Sequence, residues 1–215
     1  MEKLHDKRKV YKKGELLEDQ LKNSPIDMFA IWLEDAQNDS LVEEANAMSL
    51  STIDVDNCPS TRVVLLKEYS EEGFVFFTNY NSKKGISLSK NPKACLQFFW
   101  QSLERQIMIK ANVEKISSKD SDEYFSSRPR GSQIGAIVSE QSSIIPSRDF
   151  LEKRLIEIEN KFVNREVERP NHWGGYIAKP YEIEFWQGRP NRLHDRMLYT
   201  RVLDSKDWKI QRLAP

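Results

Sequence analysis

The chain has 215 residues, 39% hydrophobic and 31% charged, and its 33 Lys plus Arg balance 33 Asp plus Glu for a formal net charge of zero. That length can bury one substantial core, and the charge balance gives no global argument for a polyanionic partner, so any anion site has to be local. The opening stretch MEKLHDKRKVYKKGELLEDQ lacks the apolar core of a signal peptide and no run of about 18 apolar residues follows, so a soluble, cytoplasmic protein without membrane or nucleic-acid partners is expected.

Residues 1–20 read as a mobile basic arm, with Lys7, Arg8, Lys9, Lys12 and Lys13 crowded around Tyr11, and residues 21–215 as a single domain. The segment NSPIDMFAIWLEDAQ predicts a helix capped by Ser24 and started by Pro25, with Ile26, Phe29, Trp32, Leu33 and Ala36 on one apolar face. From Ala47 to Ile116 short β-rich runs follow: AMSLSTID, RVVLLKEY, GFVFFTN, ACLQFFW and RQIMIKANVEKI, with SKKGISLSK as a short helix between two of them. Turn residues separate them closely, which favours antiparallel hairpins and a closed or nearly closed barrel over parallel winding. Cys58 and Cys95 lack metal or redox spacing and read as free thiols, and no metal is expected.

KDSDEYFSSRPRGSQIGAIVSEQSS reads as one or two short helices and a polar loop. SRDFLEKRLIEIENKF is a helix opened by Ser147, with Phe150, Leu151, Leu155, Ile158 and Phe162 as a core-packing stripe. Four strands close the chain, WGGYIAKP, YEIEFWQG, NRLHDRMLYTRV and WKIQRLAP, with GRPN as the turn between the second and third.

Placed in a strand, Arg192, His194 and Arg196 project to one face and could share an anion-binding patch, the histidine adding a donor tunable near neutral pH. The competing reading is a solvated ion-pair ladder with Glu182 and Glu184 of the preceding strand. Thr78, Ser82, Lys83 and Lys84 gather at a helix entry that favours phosphate. Tyr124, Arg128, Arg130 and Ser132 form a second possible cradle, or a basic turn between helices.

The ordered set RVVLLK, FFTNYNSKK, LERQ, YFSSRPRGSQIGA, SEQSS, WGGY, IEFWQG, RLHDR and RLAP resembles the pyridoxine (pyridoxamine) 5′-phosphate oxidase family over nearly the whole chain. The resemblance implies an α+β fold: an antiparallel, Greek-key-like, FMN-binding split β-barrel with flanking helices. It implies a homodimer with FMN at the interface, oxidising pyridoxine or pyridoxamine 5′-phosphate to pyridoxal 5′-phosphate by hydride transfer from C4′ to flavin N5, with O2 as acceptor and H2O2 as product. The implied FMN contacts are Arg62, Val63, Val64, Leu65, Leu66, Lys67, Phe77, Thr78, Lys83, Lys84, Gln106, Gln141, Ser142, Trp186 and Arg196. The implied substrate contacts are Lys67, Tyr124, Arg128, Ser132, Arg192 and His194, with Arg8 and Tyr11 as a lid; Arg192 and His194 carry the catalytic roles. Lys83 stands where arginine is usual and Phe77 where tyrosine is frequent. The alternatives are another flavin split-barrel reductase, or a pyridoxal-phosphate-binding protein without turnover.

Overall fold

The computed structural model describes residues 2–203 and 205–215. The helices are α1 (Pro25–Asn38), α2 (Lys83–Lys90), α3 (Ser118–Ser127), α4 (Arg130–Val138) and α5 (Arg148–Lys161). The strands are β1 (Ala47–Ile53), β2 (Pro59–Leu65), β3 (Glu68–Ser70), β4 (Gly73–Asn79), β5 (Lys93–Trp100), β6 (Arg105–Lys115), β7 (Trp173–Gln187), β8 (Asp195–Arg201) and β9 (Trp208–Arg212). They hydrogen-bond in the order β2-β1-β5-β6-β7-β4-β3, with β8 on β7 and β9 on β8. The β3–β4, β4–β7, β7–β8 and β8–β9 pairs are antiparallel. No helix among the described residues is long and apolar enough to cross a membrane.

The chain forms two compact units whose boundaries fall inside β1, β5, β6 and β7. The first holds residues 1–50, 95–111 and 180–215. Its core grows from α1, where Ser24 accepts a hydrogen bond from the Ile26 N–H (3.1 Å), Pro25 opens the helix and the expected stripe is buried. Phe29 meets Phe98 edge-on at 5.2 Å, Trp32 meets Phe185 at 5.2 Å, and Phe185 meets Tyr199 at 5.6 Å. Such edge-to-face contacts add to the area term that dominates core stability.

The second unit holds residues 51–94 and 112–179. Phe125, Ile134, Val138, Val167 and Trp173 form its helical cluster, and Leu151, Ile158 and Phe162 of the α5 region pack on it from a half-buried position. No residue of α5 is buried, and Phe150 and Leu155 are exposed, so the predicted stripe covers the cluster without being core.

Two further expectations change. WGGYIAKP and YEIEFWQG are one strand, β7, despite Pro180. β4 accompanies β7 as far as Ala178 and β8 does so from Glu182, so the proline's missing N–H falls between partners on that edge. The RLHDR stretch is not the start of a strand: Pro190–Arg192 form a 3-10 turn and β8 begins at Asp195. Arg192 and His194 therefore owe their placement to a loop, and the alternation argument fails for them.

Candidate active site

In the second unit a cleft of about 470 Å³ opens between β2, β4 and the α3–α4 turn. Its walls include Val63, Val64, Leu65, Lys67, Phe77, Thr78, Lys84, Tyr124, Arg128, Ser132, Gln141 and Trp173. Local chemistry presents each group. Ser82 caps α2 by accepting from the Gly85 N–H (3.3 Å), which sets Lys84 in the first turn with its side chain turned inward. Arg128 precedes Pro129, and the proline holds it in extended backbone (φ −71°, ψ 147°) between α3 and α4. Phe77 stacks on Tyr124 (centroids 3.8 Å apart), and Trp173 lies nearly parallel to both rings.

Two cations in this cleft lack the partners that burial calls for. Lys84 is 8% exposed, and its Nζ donates to Gln141 Oε1 (2.8 Å), Thr78 Oγ1 (3.2 Å) and Ser82 Oγ (3.5 Å), all neutral. Desolvation first, and the Arg62 charge second, push its pKa down to about 8. A depression of that size corresponds to roughly 3 kcal/mol against the charged form. Arg128 lies over the Trp173 ring at 4.5 Å, its pKa lowered by burial, and its buried Nη1 donates to no group in the protein. A buried, unsatisfied guanidinium N–H costs more than a hydrogen bond returns, and a desolvated ammonium among neutral acceptors disfavours its own charge, so both groups call for an anionic ligand.

The first unit holds a second cluster, around the loop between β7 and β8. Trp186 lies 4.7 Å from the His194 ring, and Tyr11 meets both edge-on at 5.7 and 5.5 Å. His194 Nδ1 accepts from the Arg189 N–H (3.0 Å), which places the proton of the neutral ring on Nε2. Burial, then the charge of Arg192, lowers the His194 pKa against the opposing pull of Asp195. Asn191 and Arg192 both adopt left-handed backbone (φ 57° and 63°). Asparagine tolerates that region; for arginine it costs roughly 1 kcal/mol or more, a strain of the kind that functional loops retain.

The residues expected from the sequence are thus sorted. Val63, Val64, Leu65, Lys67, Phe77, Thr78, Lys84, Tyr124, Arg128, Ser132 and Gln141 share the cleft. Arg62 instead holds Thr52 and Ser60 through its guanidinium, Leu66 is buried away from it, and Lys83 and Ser142 are exposed. Arg130 is no part of a cradle: its guanidinium donates to the carbonyls of Phe162 and Arg165 at the end of α5. Tyr11, Trp186 and His194 form the second cluster, Arg192 is exposed, and Gln106 accepts from Gln97 (2.6 Å). Arg8 is exposed and donates to the His5 carbonyl. Arg196 answers the ladder reading: it is bidentate on buried Glu184 (2.7 and 3.0 Å) and donates to the Ala214 carbonyl, while Glu182 pairs with Lys110. Arg196 and Glu184 thus present a fixed dipole more than a free charge. Glu184 is the partner that the ladder reading names, whereas Trp173 and Glu104 carry no local signal, because each acts through partners far off in sequence.

The sequence pattern of the pyridoxamine 5′-phosphate oxidase family matches residues 34–162, and that of the pyridoxine 5′-phosphate oxidase C-terminal dimerisation region matches residues 173–215. The pyridoxine/pyridoxamine 5′-phosphate oxidase of Christiangramia forsetii is 55% identical, over the full length of both chains. PhzG from Burkholderia lata, solved in complex with tetrahydrophenazine-1-carboxylic acid, is 29% identical with a TM-score of 0.85, covering 93% of this chain and 98% of that one. A pyridoxamine 5′-phosphate oxidase-related, FMN-binding protein from Nostoc punctiforme shares the fold (TM-score 0.69) at 15% identity, covering 88% and 96% of the two chains. The α+β split-barrel class expected from the sequence is the one these neighbours share.

Proposed function

The chain belongs to the pyridoxine/pyridoxamine 5′-phosphate oxidase family, and on that premise we propose that it is a homodimeric, FMN-dependent oxidase converting pyridoxine or pyridoxamine 5′-phosphate to pyridoxal 5′-phosphate. The observation that carries the reading is a pair of cations in one cleft, Lys84 hydrogen-bonded to neutral groups alone and Arg128 with a buried Nη1 that donates to no group. A reaction joining a phosphorylated cofactor to a phosphorylated substrate needs two anion sites, and the cleft offers two.

The residues present fit the flavin. Lys84, held by Gln141 and Thr78, would take its phosphate, while Val63, Val64 and Leu65 supply an apolar wall with backbone groups at hand. When bound, FMN would supply the two-electron chemistry, as acceptor of a hydride equivalent from C4′ that O2 then carries off as H2O2; the amine substrate would also consume water and release ammonia on its way to the aldehyde. Arg128, Lys67, Tyr124 and Ser132 would clamp the substrate phosphate, a dianion remote from the reacting carbon, so that its binding energy fixes the pyridine in a reactive pose. His194, neutral and donating from Nε2, and Arg192 would orient the ring substituents and stabilise charge there, and Arg196, oriented by Glu184, completes the cofactor side. Family membership through the dimerisation region supports the dimer, at whose interface the flavin is proposed to lie. Aerobic incubation with pyridoxine 5′-phosphate should release aldehyde and H2O2 in equal amounts; binding without peroxide would contradict the reading.

Lys84 gives the cofactor site a pH signature. Its pKa is depressed to about 8 in the free protein, and a bound phosphate favours the charged form, so above that pH binding takes up a proton. FMN affinity for the apoprotein should be level near pH 7 and about tenfold weaker at pH 9. Riboflavin, without a phosphate, should show no such fall. Fluorescence titration of both flavins checks this.

A further inference from the structure

Glu104 ends the turn between β5 and β6 in left-handed backbone (φ 55°) and is 2% exposed. Burial alone would raise its pKa, yet the Lys13 N–H, the Lys9 ammonium and the Lys12 N–H together lower it. The distances are 2.7 Å from Lys12 N, 2.9 Å from Lys13 N and 3.0 Å from Lys9 Nζ, all to a residue about ninety positions away. The same residue's carbonyl accepts from the Gly188 N–H (2.8 Å) and from Gln187 Nε2 (3.2 Å). One buried residue therefore grips two segments: the arm through its carboxylate, and the root of the 188–194 loop through its carbonyl. Tyr11 sits between them. A methyl group added at Gly188 would meet the Tyr11 Cγ and Cδ1 atoms at 2.9 Å, so the glycine makes the seat in which the tyrosine rests beside His194 and Trp186.

We propose that Glu104 is a positioning residue for the oxidase reaction, fixing Tyr11 of the arm against His194 so that the arm covers the substrate's pyridine ring. The inference rests on the reading under Proposed function that His194 contacts the substrate. Nothing about Glu104 touches the reacting atoms; it acts through Tyr11, and its three donors make the grip charge-assisted and hence comparatively strong. Cover of this kind stabilises bound substrate and so enters KM more than kcat.

The FMN-loaded enzyme tests it. Glu104→Ala should raise the KM for pyridoxine 5′-phosphate about tenfold with kcat changed by less than about threefold, the loss expected for hydrogen bonds to a charged group. Limited trypsin digestion should cut after Lys12 and Lys13 about ten times faster in this variant, with flavin content unchanged. Glu104→Gln, whose amide oxygen still accepts from the arm but leaves Lys9 unpaired, should fall between. Gly188→Ala, which crowds Tyr11 and leaves Glu104 in place, should raise KM in the same way, and it carries the test if Glu104→Ala does not fold. Wild-type KM in both Glu104→Ala and Gly188→Ala would overturn the proposal, as would unchanged tryptic cleavage in Glu104→Ala. Absence of flavin reduction in the wild-type protein, measured first, would overturn the functional reading itself and is thereby told apart.

Discussion

Replacing Arg128 by methionine is expected to raise the KM for pyridoxine 5′-phosphate by roughly 100-fold, the loss of two charge-assisted hydrogen bonds to a phosphate. Methionine keeps an unbranched apolar stem of similar length and removes the fork together with its stacking over Trp173, so folding and FMN content should be retained. Arg128→Lys should recover part of the loss, because the charge returns without the bidentate geometry. Unphosphorylated pyridoxine should be an equally poor substrate for wild type and Arg128→Met. A wild-type KM in Arg128→Met, from steady-state peroxide release, would remove Arg128 from the phosphate site.

Lys84→Met should act in opposite directions on stability and function. The ammonium is buried among neutral partners at a cost of roughly 3 kcal/mol, part of which the apoprotein recovers when an apolar side chain of similar length replaces it. An apoprotein Tm raised by about 3 °C is expected for a gain near 1 kcal/mol in a chain of this size. FMN affinity should fall by roughly 100-fold, since the cation nearest the proposed cofactor phosphate is gone. That opposition identifies a group retained for its ligand. Undiminished FMN affinity in Lys84→Met, read by flavin fluorescence, would show that the phosphate is held elsewhere.

The parts of this fold legible in the sequence are those fixed by neighbours along the chain. Ser24, Pro25 and a 3.6-residue stripe specify α1 almost alone, and Ser82 and Ser147 likewise mark the starts of α2 and α5. Burial was less legible: α5 has a stripe, but it rests on a small cluster and stays half exposed, since periodicity reports which face turns inward and not how much lies beneath it. WGGYIAKP and YEIEFWQG read as two strands because the local pattern cannot show that one strand runs through while its partner changes.

The candidate site divides in the same way. SRPRG contains two arginines that composition treats alike. The resemblance singles out Arg128, and the fold gives the physical reason: Pro129 holds Arg128 extended at the cleft, while Arg130 satisfies the carbonyls ending α5. RLHDR has the spacing of strand alternation, yet two left-handed residues turn the chain before β8 begins, and Arg196 meets Glu184 across the hairpin. Glu104 carried no local signal of its grip on the arm. Ordered motifs supplied the family, and long-range pairing supplied the division of labour within it.

If this chain holds FMN where a phosphorylated pyridine can reduce it, the flavin itself reports the reaction. The most direct measurement is the absorption spectrum of FMN-loaded protein before and after anaerobic addition of pyridoxamine 5′-phosphate. Bleaching of the oxidised-flavin band, and its return on admitting O2, is the expected result. A flavin that stays oxidised under saturating substrate would contradict it.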